Sequence, residues 1–500
     1  MNNSSIRKNK KVIVVGAGLG GISAAIMLKI AGYDVEVFEK NEKIGGKLNF
    51  INEKGYIFDL GPSILTLPQY FKNLFDAAGK NINDYIKMQK VRPHWRNFFE
   101  DGTVIDLDPD MDFMKKELSK LGKDTFQQFR AFLDYSEKQY DILADGYFDN
   151  GLDKTTDFMK FYDFSSVFKI DFFRTMHSSV AKYIKSPHLI DIMDYFIKYV
   201  GSSAYSAPGF MNLMPTIQFR YDLWYVPGGM YNIALGFLKL MNELEIKINY
   251  NSEVEEILKE GNRVTAIRAN EQIHKADIIV SNMEVIPTYK TLLNESEPFL
   301  KKLSRFEPAC SGLVLDLGLD IQYPQLAHHN FIYSTNQSHH FKTVFKDRKL
   351  PPDPTIYLVD ASKSDPSVAP PNCSGLKVLP HIPFINEENP LTHEDYIKYK
   401  EVVLDKLERT GLKDIRKHIV YEHLLTPLDI RSMYKSNGGS IYGVVSDLWK
   451  NFSFKHPKQS KKYKNLYFTG GSVNPGGGMP MVLLCGQNVC KLILQNEEGK

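Results

Sequence analysis

The sequence predicts an α/β protein with two domains, and three observations carry this prediction. A glycine-rich turn lies between a short apolar strand and a helix near the N-terminus, strand-like alternation returns at 253–280, and a second glycine-rich loop precedes an apolar helix near residue 480. In chain order, residues 12–15 are predicted as a buried strand, 22–31 as a helix and 34–38 as the next strand. These elements form a βαβ unit of the Rossmann type.

The remaining sequence indicates how the two domains are divided. Residues 111–200 have a helical composition with few glycines, whereas 253–280 and 466–469 alternate as strands do and are expected to rejoin the first sheet. We therefore expect a discontinuous, Rossmann-type cofactor-binding domain made of 1–70, 226–285 and 462–500. The other segments, 71–225 and 286–461, are expected to form a mixed α+β domain that binds substrate and faces a membrane.

The first glycine-rich turn has the G-x-G-x-x-G spacing of a dinucleotide site, at Gly16, Gly18 and Gly21. The first glycine permits a tight turn, the second lets backbone amides approach a pyrophosphate, and the third allows close packing of helix and strand. Glu39 ends the second strand, where a carboxylate accepts hydrogen bonds from ribose hydroxyls and disfavours a 2′-phosphate. NADP is therefore not expected, and a glycine turn without a ligand is the alternative.

Two further short segments follow this unit. Residues 44–47 form a second glycine-rich turn, in which Lys47 would contact an extended pyrophosphate; a solvent-facing turn is the alternative. Residues 58–65, FDLGPSIL, are predicted to be a rigid floor against which an isoalloxazine ring stacks, with an ordinary β-turn as the alternative.

Three consecutive glycines, 476–478, lie between Pro475 and a predicted helix that has Pro480 at its first position. Backbone approaches a ligand closely only where side chains are absent. The partial positive charge at the start of this helix would stabilise the negative charge that collects on the pyrimidine edge of a reduced flavin. Together the two glycine loops predict FAD, held from both ends of the chain, and a flexible linker is the alternative for the second loop.

Charge and cysteine content exclude several classes of function. Sixty-two basic and fifty-nine acidic side chains give a net charge of +3. This small net charge does not predict electrostatic binding of nucleic acid. The four cysteines have no metal-binding spacing, so no metal site is expected. Their number and spacing favour a reducing compartment, and we expect a cytoplasmic protein.

A peripheral association with the cytoplasmic face of the membrane is expected. No segment is long and apolar enough to cross a bilayer, so contact would be made through one face of the protein. Residues 158–176 combine phenylalanine and tyrosine with Lys160, Lys169 and Arg174, as an interfacial surface would. A densely packed core is the alternative for this stretch.

With both glycine loops in place, the chain resembles the flavin-dependent carotenoid desaturases and oxidases, relatives of the amine oxidases with a two-domain FAD fold. The resemblance extends from Val12 to about Cys490. Within that group the chain is similar to the bacterial diapocarotenoid oxygenases. This similarity is carried by FDLGPSILTLP (58–68), HWRNFF (94–99), YFIKYVGSSAY (195–205), WYVPGG (224–229), SNMEVIPTYK (281–290), YPQLAHHNF (323–331), KVLPHIP (377–383) and NPGGGMPMV (474–482).

The resemblance implies FAD-dependent oxidation of the terminal methyl group of a C30 carotenoid, 4,4′-diaponeurosporene or diapolycopene, to an aldehyde. It also implies that Val254 meets adenine through its backbone and that Gly471, Met479 and Val482 line the flavin ring. Cys485 stands where relatives often have serine, a mild departure. The full set of expected FAD-binding residues is Gly16, Gly18, Leu19, Gly21, Glu39, Lys40, Gly46, Lys47, Pro62, Ser63, Val254, Gly471, Met479 and Val482.

A long polyene substrate requires an apolar tunnel that ends at the flavin. Trp95, Tyr199 and Trp224 are candidate walls of it, with a role in core packing as the alternative. The oxygen atom would come from O2 or from water. His94 and the pair His328–His329 could move protons, with structural roles as the alternative, and no catalytic base is named. A carotenoid desaturase and a non-catalytic carrier of prenyl lipids are the competing functions.

Overall fold

The computed structural model describes residues 10–153 and 157–498. Its first layer is a five-stranded parallel sheet whose strands come from separate stretches of the chain. Apolar, β-branched residues dominate the strand Lys11–Val15, and four of the five residues of this strand are buried. In spatial order the strands are Leu466–Phe468, Ile278–Ser281, Lys11–Val15, Asp34–Phe38 and Lys247–Asn249.

The stretch 253–280 differs in part from the prediction. Ile278–Ser281 joins the parallel sheet, but the residues before it form a separate three-stranded antiparallel sheet. These antiparallel strands alternate between buried and exposed residues because one face meets water, whereas Ile278–Ser281 is buried throughout. The antiparallel strands are Val254–Glu260, Arg263–Ala269 and Gln272–Lys275.

Helices from opposite ends of the chain lie together against the parallel sheet. Leu19–Ile30 packs on Met479–Glu498, and the Ser23 hydroxyl donates a hydrogen bond of 2.5 Å to the carbonyl oxygen of Leu483. The shared core is therefore built from both termini. Two further helices contribute to it, Gln69–Ala77 and Asn232–Glu243.

The second layer is a mixed sheet of eight strands. His329–Ile332 pairs in parallel with Trp95–Phe98, which brings an early strand beside a late one. Ser311–Gly312 pairs with one end of Ser374–Ile382. The other seven strands lie in the order Ile419–Leu425, Val314–Leu319, Ser374–Ile382, Ile356–Asp360, His329–Ile332, Trp95–Phe98 and Val104–Leu107.

A helical region covers one side of this mixed sheet, which agrees with the helical composition of residues 111–200. Its apolar side chains form a second core together with residues of the sheet. The helices are Met111–Ser119, Thr125–Leu143, Ala144–Asn150, Phe158–Phe161, Phe164–Lys169, Met176–Tyr183, Pro187–Asp194, Tyr195–Val200, Gly209–Leu213 and Met214–Tyr221.

Smaller elements complete the architecture, and the predicted α/β fold is confirmed. Two hairpins pair Phe50–Glu53 with Tyr56–Asp59 and Gln89–Lys90 with Trp224–Tyr225. Within the described chain, no helix has the length and hydropathy that a bilayer span requires. The other helices and turns are Ile82–Asp84, Val285–Pro287, Thr288–Leu292, Glu297–Leu303, Gln337–Phe345, Ala361–Lys363, Pro366–Val368, His393–Arg409, Ile415–His418, Pro427–Tyr434 and Asn437–Gly439.

Candidate active site

The N-terminal glycine loop is held close to the strand that follows Asp277. Gly16 has φ of +91°, a conformation that favours glycine. A Cβ atom on Gly21 would collide with the carbonyl oxygen of Gly16, and one on Gly18 would lie 3.3 Å from the amide of Asn282. The helix that begins after Gly18 has no side-chain cap at its start. Its first two backbone amides, those of Leu19 and Gly20, are therefore available to an anion, whereas the Gly21 amide donates to the side chain of Asn282.

Glu39 lies beside this loop at the end of its strand. Its carboxylate accepts hydrogen bonds from the backbone amide of Ala17, at 2.8 Å, and from Asn41. The side chain is buried on the wall of the cavity. Each carboxylate oxygen can accept more than one hydrogen bond, so capacity remains for ribose hydroxyls.

The second glycine turn closes over the first. The Gly45 amide donates to the Ala17 carbonyl at 2.8 Å, and a Cβ on Gly46 would lie only 3.0 Å from the Cα of Gly18. The Lys47 ammonium donates to the carbonyl of Ser440 at 2.8 Å and lies 3.4 Å from Glu284. Lys47 therefore joins the turn to the far side of the cavity.

The predicted floor, residues 58–65, is fixed from the mixed sheet. The buried Lys377 donates hydrogen bonds to the Gly61 carbonyl and to the Ser63 hydroxyl. Burial lowers the pKa of Lys377. Burial also raises the pKa of Asp59 to about 6, although Asp59 accepts a hydrogen bond from the Met230 amide. Lys377 was not singled out from the sequence.

The C-terminal glycine loop packs so closely against the backbone of Tyr442 that its glycines leave no room for a side chain. A Cβ on Gly471 would lie 2.9 Å from the carbonyl oxygen of Tyr442, and one on Gly477 would collide with the same oxygen. Gly478 has φ of +99° and faces the carbonyl of Tyr199. The helix Met479–Glu498 then begins one residue earlier than predicted. Its N-terminus points at the same cavity as the first loop.

One cavity of about 510 Å³ collects nearly all of the expected FAD-binding residues. Gly21 is the exception, because its amide bonds to Asn282 behind the wall and its role is packing. The residues on the wall are Gly16, Gly18, Leu19, Glu39, Lys40, Gly46, Lys47, Pro62, Ser63, Val254, Gly471, Met479 and Val482.

The same cavity continues into an apolar arm inside the helical region. This arm has walls from both the helices and the mixed sheet. Its residues include Leu67, Tyr147, Phe148, Met211, Leu213, Met214, Ile217, Val314, Leu379, Leu425, Ile441 and Met481.

The three aromatic residues expected along the tunnel have different positions. Tyr199 lies on the wall, and its hydroxyl donates to Gln218 at 2.9 Å. Trp95 is fully buried behind the wall, stacked on Phe196 at 4.2 Å. Trp224 lies in a hairpin, where its indole donates to the Tyr221 carbonyl. Neither tryptophan lines the cavity: Trp95 is buried, and Trp224 is partly exposed in its hairpin.

The candidate histidines are buried and lie off the cavity wall. His328 contacts Ser364 at 2.8 Å and His329 contacts the Tyr357 hydroxyl at 2.9 Å. Burial lowers the pKa of His328 to about 3 and that of His94 to about 4. The three histidines are therefore neutral near pH 7, and their positions away from the cavity wall favour the structural alternative over proton transfer.

Lys198 is a polar residue of the wall that the sequence reasoning missed. It is buried between aromatic rings in the helix Tyr195–Val200 and reaches the cavity. A lysine inside the apolar run YFIKYV was the available sign, because lysine is rarely buried without a reason.

Comparison with known proteins identifies the kind of protein. The family model described as flavin containing amine oxidoreductase matches residues 19–303, more than half of the chain. The chain belongs to this family.

Individual proteins give the same result for this flavin-containing amine oxidoreductase. It is 56% identical over 483 residues to a 4,4′-diapolycopene oxygenase of Methylomonas sp., covering 96% of this chain and 97% of that protein. It is 48% identical over 487 residues to a 4,4′-diaponeurosporene oxygenase of Staphylococcus haemolyticus (strain JCSC1435), covering 97% of each. The predicted resemblance is confirmed by these two relatives. A crystal structure of a Methanosarcina mazei oxidoreductase has the same fold, with a TM-score of 0.66, 17% identity, and coverage of 96% of this chain and 100% of that chain.

FAD is the cofactor of this flavin-containing amine oxidoreductase, as predicted. The cavity fits it, because glycine backbone at both ends leaves room that a Cβ would fill. Two helix starts supply partial positive charge and Glu39 supplies a carboxylate for ribose. The enzyme is therefore an FAD-dependent oxidoreductase.

Proposed function

We propose that this enzyme oxidises the terminal methyl group of a C30 carotenoid, 4,4′-diaponeurosporene or diapolycopene, to an aldehyde. The observation that carries the proposal is similarity over nearly the whole chain to two enzymes named as oxygenases of such carotenoids. An apolar arm that opens onto the flavin-binding loops supports it, because a polyene needs a water-free path to the cofactor.

The residues of the cavity have separable roles in this proposal. Gly16, Gly18, Glu39 and Gly46 bind the adenosine diphosphate half of FAD. The segment Gly61–Ser63, fixed by Lys377, supports the ring together with the C-terminal glycine loop. The bound flavin supplies the redox chemistry.

The apolar arm binds and orients the substrate. It excludes water and holds the terminal methyl group at the reacting position, since fixed geometry supplies much of the rate of such a reaction. Met211, Leu213 and Ile217 line this arm on the helical side, and Leu379 and Ile441 line it on the sheet side.

We also propose that the enzyme takes its substrate from the surface of a membrane, on the cytoplasmic face. In the stretch 158–176, Phe173 is 92% exposed and Phe168 is 72% exposed, beside Lys169 and Arg174. Large exposed apolar side chains flanked by cations suit an interface of lipid and water. The side chains of Phe158, Phe164 and Ser165 lie outside the described residues.

A second exposed segment supports the same face. Trp449 is 77% exposed and Phe452 is also exposed. The Leu448 amide donates to the Ser206 carbonyl at 2.8 Å, and the Gly209 amide donates to the Arg174 carbonyl at 2.7 Å. Both exposed segments are therefore attached to residues 206–209. We name Phe168, Phe173, Trp449 and Phe452 the membrane face.

Tyr162 precedes the helix Phe164–Lys169, which carries Phe168 of the membrane face, and contacts the wall of the cavity. Its hydroxyl accepts a hydrogen bond of 2.8 Å from the amide of Tyr147, which lines the cavity. This short connection supports entry of the polyene beside the helix Ala144–Asn150.

The test is to supply the purified flavoprotein with diaponeurosporene or diapolycopene in liposomes and to determine the masses of the products by mass spectrometry. The proposal predicts that each oxidised end gains one oxygen and loses two hydrogens. Loss of hydrogen alone would support a desaturase. Unchanged substrate recovered with a colourless protein that takes up no added FAD would support a carrier.

A further inference from the structure

Lys198 lies in a box of four aromatic rings at the edge of the cavity. Its ammonium nitrogen is 4.2 Å from the ring centre of Tyr357, 4.6 Å from those of Tyr199 and Phe331, and 4.8 Å from that of Trp95. The residue is 5% exposed, and what remains exposed faces the cavity. Such a position is costly for an amine unless something binds it.

Within the described chain no carboxylate pairs with Lys198. Burial, without a compensating acid, holds the pKa of Lys198 well below its ordinary value. The titratable groups around it are His329, His381, Tyr199 and Tyr357. Neither histidine can supply a negative charge, because an imidazole is neutral or cationic. Burial raises the pKa values of Tyr199 and Tyr357, so these phenols also supply no negative charge near neutral pH. A lysine amine donates hydrogen bonds in either protonation state.

Gln218 adds a second unmatched polar group on the same wall. Its Oε1 accepts the Tyr199 hydroxyl at 2.9 Å, which orients the amide, while its Nε2 has no partner among the described residues. Gln218 is fully buried and lines the cavity next to Met214 and Ile217. Buried donors without partners are rare in folded proteins and indicate an absent binding partner.

The two polar groups lie close to the loop that supports the flavin. The carbonyl of Tyr199, the residue after Lys198, lies 3.8 Å from where a Cβ of Gly478 would be. Most wall residues from the helical region are apolar, among them Met211, Leu213, Met214 and Ile217, so Lys198 and Gln218 are distinct polar groups on this part of the wall.

We propose that Lys198 and Gln218 bind the oxygen atom of the partly oxidised polyene end and so determine that oxidation continues from alcohol to aldehyde. In that step the alcohol carbon gives up a hydride, for which oxidised FAD would be the two-electron acceptor, and the hydroxyl releases its proton to solvent. This inference rests on the proposed function. The methyl group of the first substrate has no polar atom and needs neither residue. Once an oxygen is attached, its removal from water must be matched by hydrogen bonds. The Lys198 amine and the Gln218 amide can each donate a hydrogen bond to the oxygen atom of the alcohol and to that of the aldehyde.

The test compares the hydrocarbon with its primary alcohol as substrates for FAD-loaded enzyme. In Lys198→Met, we expect the ratio of the rate with the alcohol to the rate with the hydrocarbon to fall by about tenfold, the loss of one hydrogen bond. The alcohol then accumulates when the hydrocarbon is supplied. Gln218→Leu should produce the same change in direction.

A second measurement needs no turnover. The corresponding aldehyde, when bound to unmodified enzyme, should have its visible absorption band shifted to longer wavelength, because a donor at a conjugated carbonyl stabilises its excited state. Lys198→Met should lose this shift, and Lys198→Gln, which keeps a donor, should recover part of it. If Lys198→Met fails to bind FAD, Lys198→Gln and Gln218→Leu decide the outcome by the same two measurements.

Met211→Leu is the matched control, since it changes the apolar wall at nearly constant volume and should affect hydrocarbon and alcohol equally. Equal losses with both substrates in Lys198→Met, or an aldehyde band that is the same with and without Lys198, would overturn the inference. Failure of the unmodified enzyme to oxidise either substrate would instead count against the proposed function.

Discussion

The hydroxyl of Ser23 donates a hydrogen bond of 2.5 Å to the carbonyl oxygen of Leu483, 460 residues further along the chain. This bond joins the two helices whose N-termini face the FAD cavity. The position of one cofactor-binding loop therefore depends on that of the other.

Ser23→Ala removes this bond between the termini. We expect a loss of about 1 kcal/mol in the free energy of unfolding, because a buried hydrogen bond is lost while its acceptor stays buried. Thermal unfolding of the FAD-loaded protein measures it. Ser119→Ala is the control, since the Ser119 hydroxyl bonds within its own exposed helix end. Equal midpoints for the two variants would contradict the expectation.

Gly46→Ala tests the close approach of the two N-terminal glycine turns. The new Cβ would lie 3.0 Å from the Cα of Gly18, so we expect FAD affinity to fall by at least about tenfold. FAD content after purification and FAD titration measure this. Gly261→Ala is a matched control, because its φ of +58° is close to the +57° of Gly46 and no atom lies within 4 Å of the new Cβ. A similar loss of FAD in both variants would show that backbone strain alone is responsible.

Asp59 should make stability fall as pH rises from about 4 to about 6. Its pKa is raised to about 6 by burial, so the folded protein binds a proton that the unfolded chain releases near pH 4. Stability from this group is therefore present at low pH and is lost as pH passes through the folded pKa, with a total of about 3 kcal/mol. Urea unfolding at pH 4, 5, 6 and 7 measures it. The difference in stability between Asp59→Asn and unmodified protein should grow in favour of Asn over that range, and a constant difference would refute the assignment.

Phe173→Glu together with Trp449→Glu should weaken membrane binding. Removing two exposed apolar side chains from an interface should lower the affinity for lipid by at least about tenfold. Cosedimentation with anionic liposomes measures this. Ile273→Glu is the control, because Ile273 is exposed on the separate antiparallel sheet. If the control loses as much binding as the double variant, the membrane face is not specific.

The sequence was informative where function depends on short-range spacing. The glycines at 16, 18, 46, 477 and 478 and Glu39 lie on one cavity wall because each belongs to a local turn or helix start. The roles of individual residues in binding FAD stay predictions, as do the domain boundaries. The antiparallel sheet at 254–275 was not separated from the parallel one, since both patterns predict strands.

Contacts between strands and loops that are far apart in the sequence could not be predicted. Lys198 meets Trp95, Phe331 and Tyr357 because the strands that carry these aromatics lie side by side in the mixed sheet. Lys377 reaches the floor loop across two layers for the same reason. Neither arrangement leaves a local pattern in the sequence.

The most direct measurement follows the hydrogens of the terminal methyl group. A C30 polyene with three deuterium atoms on that methyl is given to the purified FAD-loaded enzyme, and the product is weighed. Oxidation of the methyl to an aldehyde predicts loss of two deuterium atoms, retention of the third and gain of one oxygen. A product that keeps all three deuterium atoms would contradict the account, because the reaction would then occur elsewhere on the polyene.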